Sequence, residues 1–243
     1  MLKSFAIFSL AACSSILLLC PVVQAQDAPA GTAESAPTAP GAAPATPPVD
    51  PSSHAMATAI GKMNANDVNG ALDKLTEAIK LNPKNSAAYV LRASIYCQKK
   101  LWIQASEDFA SAAAMDPHNI VIKFNQVEIQ FLQKQYDAAR VGFLALESDP
   151  EMGDLAKYKV FLCDLFGGHE DVAQQELDAF NKAGEYPSYY FSNAAWSLYH
   201  KNVDDARDWL ISASHIYAPQ KFTYYAQSLY DLGYLPLARP PTN

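Results

Sequence analysis

A helical triad that returns at a near-constant step constrains this chain more than its composition does. Ala71, Leu75 and Ala78 are spaced four and three apart, and the spacing recurs as Ala105–Phe109–Ala112, Ala139–Phe143–Leu146, Ala173–Leu177–Phe180 and Ala206–Leu210–Ala213. Successive leading alanines lie 34, 34, 34 and 33 residues apart. Spacing of four and three marks one face of an α-helix. A small residue at the head of each triad lets a neighbouring helix come close. Prolines punctuate the pattern at Asn82-Pro83, Asp116-Pro117, Asp149-Pro150 and Ala218-Pro219. Proline cannot continue a helix, and it biases the residue before it away from helical geometry. Recurrence on this scale means that each unit cannot bury its own apolar face and must stack on the next.

A second amphipathic helix precedes each triad, with its inner face at i, i+3, i+4 and i+7. The sets are Met56/Ala59/Ile60/Met63, Tyr89/Arg92/Ala93/Tyr96, Phe124/Val127/Glu128/Phe131, Tyr158/Phe161/Leu162/Leu165 and Phe191/Ala194/Ala195/Leu198. A sixth set, Phe222/Tyr225/Ala226/Leu229, has no partner helix after it. The sequence therefore predicts five helical hairpins and one lone terminal helix. In four of the five hairpins the first-to-second-helix turn reads as one residue short of that in the second hairpin.

The pattern resembles the tetratricopeptide repeat, a helix–turn–helix unit of the same length. Residues 86–119 match it best, with Tyr89, Ala93, Tyr96, Trp102, Ala105, Phe109, Ala112 and Pro117 at the family's positions. The resemblance implies an all-α, right-handed α-solenoid with units at 52–85, 86–119, 120–153, 154–187 and 188–219 and a capping helix at 221–235. The fourth and fifth units are degenerate: Leu162 replaces the small residue, and the fourth lacks a closing proline. Lys221, Thr223, Gln227, Ser228 and Asp231 fall mostly away from the Phe222/Leu229 face, as expected of a solvating cap.

The ends read differently. Lys3 precedes an apolar run from Phe5 to Cys20, and Val23-Gln24-Ala25 supplies small residues for cleavage. This is the layout of a bacterial secretory signal over residues 1–25. It predicts a secreted or periplasmic protein whose mature chain starts at Gln26. Two alternatives are an uncleaved anchor and lipidation. Leu10-Ala11-Ala12-Cys13 resembles a lipobox, although the apolar run continues past Cys13, and Cys20 follows the bulky Leu19. Residues 26–51 hold seven prolines and eight alanines without an aromatic residue, Lys or Arg, which predicts a disordered, partly extended spacer. Residues 236–243, with Pro236, Pro240 and Pro241, are expected to form a disordered tail.

Chemistry is hard to place on this chain. A net charge of −7 with scattered cations argues against nucleic acid as a partner. His54, His118, His169, His200 and His215 lack metal-ligand spacing, and no Cys-x-x-Cys, nucleophile elbow or phosphate loop is present. No cofactor is expected. Gly167-Gly168 reads as a helix end. The acidic pairs Glu107-Asp108 and Asp204-Asp205 read as solvated faces. Cys97 and Cys163 stand two repeats apart, roughly 20 Å at the spacing of packed helices, which is too far for a disulfide. Arg92 and Glu128 occupy inner-face positions in adjacent repeats and are expected to pair with each other or to reach solvent at the rim.

The resemblance places the first helix of each hairpin on a concave groove, where the family's ligands are extended or helical peptides. The residue after each inner-face position should point there. That selects Asn125 and Lys159, flanked by Gln98 and Gln133, with Leu132, Phe166, Trp196, Tyr199 and His200 toward the C-terminal end. Asn and Lys suit a peptide backbone or carboxylate, and the aromatics suit apolar side chains. The family's two-carboxylate clamp is not expected, because Ala57 and Gly61 stand at its first-repeat positions. The reading is a non-catalytic protein- or peptide-binding scaffold of the periplasm or cell envelope; the alternative is a lipid-anchored component of an envelope assembly complex. The oligomeric state is left open.

Overall fold

The structure is a computed structural model and describes residues 50–180 and 186–235. The expected signal, nearly all of the spacer and the C-terminal tail lie outside the described residues. The described residues form eleven helices: α1 (Pro51–Asn64), α2 (Val68–Leu81), α3 (Ser86–Gln98), α4 (Trp102–Met115), α5 (Ile120–Leu132), α6 (Tyr136–Leu144), α7 (Gly153–Gly167), α8 (Glu170–Ala179), α9 (Pro187–Tyr199), α10 (Val203–Ile216) and α11 (Pro219–Asp231). The first ten form five antiparallel hairpins, and α11 is the lone terminal helix.

Every hairpin turns in the same way. Asn66, Lys100, Lys134, Gly168 and Lys201 all take positive φ, between 57° and 91°. Each stands five residues before its triad's leading alanine. The next residue closes a 6→1 bond in all five turns: Asp67 to Lys62, Leu101 to Tyr96, Gln135 to Gln130, His169 to Asp164 and Asn202 to Ser197. The turns are thus of equal length, which corrects the expectation that four are short. The apparent shortening came from reading the inner face one residue out of phase. The first helix of a hairpin is covered on several sides, so no single stripe defines it. In α3 the buried residues include Ala88, Leu91 and Ile95, which pack toward α1 and α2, whereas Tyr89, Arg92 and Tyr96 are half-buried.

Side-chain caps fix several starts. Asp50, Asp67, Asn85, Asn119 and Asn202 each accept a backbone N–H from the first turn of the following helix. These caps satisfy donors that the helix itself leaves unpaired.

The second-helix triads are the core of the first three units. Ala71, Leu75, Ala78, Ala105, Phe109, Ala112, Ala139 and Phe143 are all fully buried, and Leu146 nearly so. In the last two units the seal is incomplete: Ala173, Ala206 and Ala213 are buried, but Leu177 and Leu210 are only half-buried and Phe180 likewise. The reason is a change of packing partner. In α1–α7 each hairpin's second helix carries the next hairpin's first helix. From α7 onward the first helices pack mainly on one another, α7 on α9 and α9 on α11. An aromatic cluster fills that seam, with Phe191 within 6.1 Å of Tyr158, 5.2 Å of Phe222 and 5.4 Å of Tyr225, measured between ring centroids.

Lysine in the left-handed region carries a steric cost that glycine does not. Replacing Lys100, Lys134 or Lys201 by Gly should therefore raise stability by about 0.5–1 kcal/mol per site, net of the entropy glycine adds to the unfolded chain. Denaturant midpoints of K100G, K134G and K201G check this. Midpoints at or below that of the parent would mean that the turns do not carry the cost assigned to them.

Candidate functional site

Three polar or aromatic constellations are centred on units three to five. The first is a buried ion pair between neighbouring hairpins. Lys159 Nζ (α7) donates to Glu128 Oε1 (α5) at 2.5 Å, with side chains only 4% and 9% exposed. The ammonium also sits 4.3 Å from the Phe131 ring centroid. Arg92 therefore does not pair with Glu128, nor do the two reach solvent as a matched pair. Arg92 forks onto Asp108 of α4 through Nε at 2.8 Å and Nη2 at 2.7 Å, and its Nη1 donates to Thr76. Asp108 is buried rather than solvated, which corrects the reading of Glu107-Asp108 as an exposed pair. The cause is register: Asp108 lies next to Phe109 on the stacking face, where a charge persists only with a partner.

Asp231 of α11 responds to the charges of the Lys159–Glu128 pair. Burial pushes its carboxyl up to about 6; Lys159 opposes that shift and Glu128 adds to it. Burial likewise pushes the Cys97 and Cys163 thiols up to about 12, with the Glu128 charge contributing at both. Both remain free thiols. At that acidity neither carries the thiolate that nucleophilic chemistry requires.

The second constellation joins α6, α7 and α8. Arg140 Nε lies 2.8 Å and 2.7 Å from the two oxygens of Asp164, whose side chain is 2% exposed. The same guanidinium reaches Glu176 of α8 at 3.8 Å, and His169 Nδ1 lies 3.4 Å from Asp164. Burial first, then the Asp164 charge, push the Glu176 carboxyl up to about 7. Among the described residues no group of three His, Cys, Asp or Glu is placed to hold a metal ion. The cluster is a structural ion network: Arg140 is shared between two carboxylates. Sequence reasoning missed Asp164 because it is flanked by apolar residues and has no motif.

The third is an aromatic edge at the turn end of the hairpins. Phe166 meets Tyr136, Tyr199 and Tyr234 at 6.5, 5.6 and 5.5 Å. His200 lies against Trp196 at 4.5 Å and Tyr199 at 5.2 Å, and its Nε2 is 3.0 Å from Glu170 Oε1. The structure thus brings Phe166, Tyr199, His200 and Trp196 together. Phe166, Trp196 and Tyr199 are half-buried and His200 is exposed. The other residues selected from sequence are dispersed. Asn125 and Lys159 are buried at 1% and 3% exposure, and Lys159 is already committed to Glu128. Gln98 and Leu132 are half-buried near the ends of α3 and α5, and Gln133 is exposed just beyond α5. These buried positions reflect the covering of each first helix on several sides, which single-helix periodicity does not report.

Asp154, at the start of α7, is a further positioning residue that the sequence did not reveal. It accepts from Ser188 N at 3.2 Å and Ser188 Oγ at 2.5 Å on α9, and from Tyr225 Oη at 2.6 Å on α11. One carboxylate therefore ties three first helices together.

No protein-family model matches the chain, and no curated protein matches it. Two solved structures share its fold. PilW, described as a widely conserved type IV pilus biogenesis factor, is 19% identical with a TM-score of 0.54, over 75% of this chain and 86% of that one. PilF of Pseudomonas aeruginosa is 16% identical with a TM-score of 0.52, over the same shares. With the hairpin architecture already described, these likenesses define the fold class: the chain is a tetratricopeptide-type α-solenoid.

Two measurements probe the site's charges. Lys159→Ala leaves Glu128 buried without its cation and should cost about 3–5 kcal/mol, whereas the paired apolar replacement Glu128→Leu/Lys159→Met should recover most of that loss. A loss under about 1 kcal/mol on chemical denaturation of K159A would contradict a buried pair. The second concerns pH. Asp231 and Glu176 have folded-state values above their ordinary ones, so the folded state retains protons that the unfolded chain releases. Their contribution is fully present at low pH and is lost as pH rises from about 4 through about 7. Asp231→Asn/Glu176→Gln should therefore gain melting temperature relative to the parent as pH increases across that window. A constant difference between the two proteins would count against both shifts.

Proposed function

We propose that the protein is a non-catalytic scaffold that binds a protein or peptide in the bacterial periplasm or cell envelope. The observation that carries this reading is the fold itself. Five stacked hairpins present an aromatic edge (Phe166, Trp196, Tyr199 and His200), the buried carboxylates and cations beside it are held in structural pairs, and the buried thiols are free but pushed up to about 12. Half-exposed aromatic side chains give large contact area for little ordering cost, which suits partner recognition. Two further points support the envelope context. Residues 1–25 read as a secretory signal, and the fold resembles that of PilW, a type IV pilus biogenesis factor. Among the described residues no helix is long and apolar enough to cross a membrane.

Within the groove, Trp196 and Tyr199 are the residues proposed to contact the partner, with Phe166 and His200 beside them. Gln98, Asn125, Leu132, Gln133 and Lys159 are proposed to shape or support that surface. Crosslinking in the intact bacterial envelope, followed by identification of the captured protein, tests the reading. Trp196→Ala and Tyr199→Ala should each weaken the recovered interaction by about ten-fold or more. Capture equal to background, or unchanged capture by both variants, would sink the groove version. Mass spectrometry of the mature N-terminus tests localisation. A chain starting at Gln26 is expected; an acylated Cys13 or Cys20 would instead favour a lipid-anchored component.

A further inference from the structure

Helix α11 is placed as α9 is, on the preceding first helix, and not as α3, α5 and α7 are, on the preceding second helix. In the first three units the following helix lies on the preceding triad and buries it. Here α10 keeps Leu210 half-buried, with Ile211 45% and Ile216 48% exposed, while α11 leans inward across the first helices of earlier units. Phe222 and Tyr225 pack on Phe191 of α9. Tyr225 also stacks 5.7 Å from Tyr158 of α7 and donates to Asp154. Tyr234 just beyond the helix lies against Phe166 of α7, and the charges of Lys159 and Glu128 act on the carboxyl of Asp231. These partners are the same helices that carry the candidate groove.

We propose that α11 is an internal ligand: it occupies the C-terminal half of the groove and must lift before a partner can lie there. The partner it mimics is an amphipathic helix with an aromatic residue, a tyrosine three positions on, an aliphatic four further and a carboxylate two beyond that, as in Phe222, Tyr225, Leu229 and Asp231. This deepens the scaffold reading and rests on it.

Three features make α11 separable from the solenoid. Its connection runs through Tyr217 and Ala218 in extended backbone, with ψ of 144° and 147°. No side chain caps its N-terminus. Its buried interface is also imperfectly satisfied: Ser228 Oγ on α11 and Tyr158 Oη beneath it are buried without a hydrogen-bond partner. A better-matched helix would satisfy such groups. While α11 is closed, a competing helix binds with an affinity reduced by the fraction of molecules that are open.

The test uses the full chain and a fluorescent synthetic peptide of residues 219–235. Phe222→Asp/Leu229→Asp weakens the hold of α11 without touching α5, α7 or α9. This variant should bind the peptide at least about ten-fold more tightly than the parent chain does. Equal affinity, with helical content retained by circular dichroism, would overturn the proposal. If the variant does not fold, hydrogen exchange on the parent decides: α11 amides should exchange at least about ten-fold faster than those of α9. Equal protection in the two helices would overturn it. Peptide binding requires no natural partner, so the outcomes separate. Peptide capture without any envelope partner removes the scaffold reading alone. An envelope partner held equally by parent and released variant removes the internal-ligand proposal alone.

Discussion

A hairpin of two short helices cannot seal its own apolar face, and the whole molecule follows from that constraint. In units one to three it is met in the same way each time. An alanine admits the next helix, a Leu or Phe fills the space behind it, and the following hairpin covers both. Stability in such a stack is a sum over neighbours, so a change of neighbour changes the fold locally. That change comes at α7. From there the first helices seal one another, and Asp154 holds the arrangement by accepting hydrogen bonds from α9 and α11 together. A carboxylate with donors from two other helices fixes their relative height as well as their proximity.

Charge on the interior adds a second constraint on how the units stack. Each buried ion pair bridges elements that apolar packing alone would leave free to slide: Arg92 with Asp108 inside the second hairpin, Lys159 with Glu128 between units three and four, and Arg140 with Asp164 and Glu176 across α6, α7 and α8. Buried pairs are a poor source of net stability, but an unmatched register leaves a bare charge, so they penalise alternatives strongly. In a chain of near-identical units, where one hairpin can be mistaken for another, such penalties are informative. The pairs differ from one interface to the next.

The hairpins were legible because both signals that define them are local. The four-and-three spacing lies within single helices, and the prolines lie in the turns that follow them or at the first residue of the next helix. The left-handed turn residues were not legible, since lysine at Lys100, Lys134 and Lys201 disguises positions where glycine is usual. The groove was legible only in part. Phe166, Tyr199, His200 and Trp196 do converge, because their spacing follows the helix ends. The burial of Lys159 could not be read from its own helix, since its partner is Glu128 of a neighbouring unit. Long-range pairing of that kind leaves no periodic trace.

The short helix α8 shows what the altered packing entails. Of its residues only Ala173 is fully buried, and α9 grips α7 directly rather than through it. The contact that carries the solenoid forward therefore bypasses α8. A segment so placed can open and close on its own, at a free energy below that of the whole molecule. Each opening would uncover Leu177 and Phe180 and loosen the guanidinium of Arg140 from one of its two carboxylates. Local opening of α8 would therefore leave the contact of α9 on α7 in place.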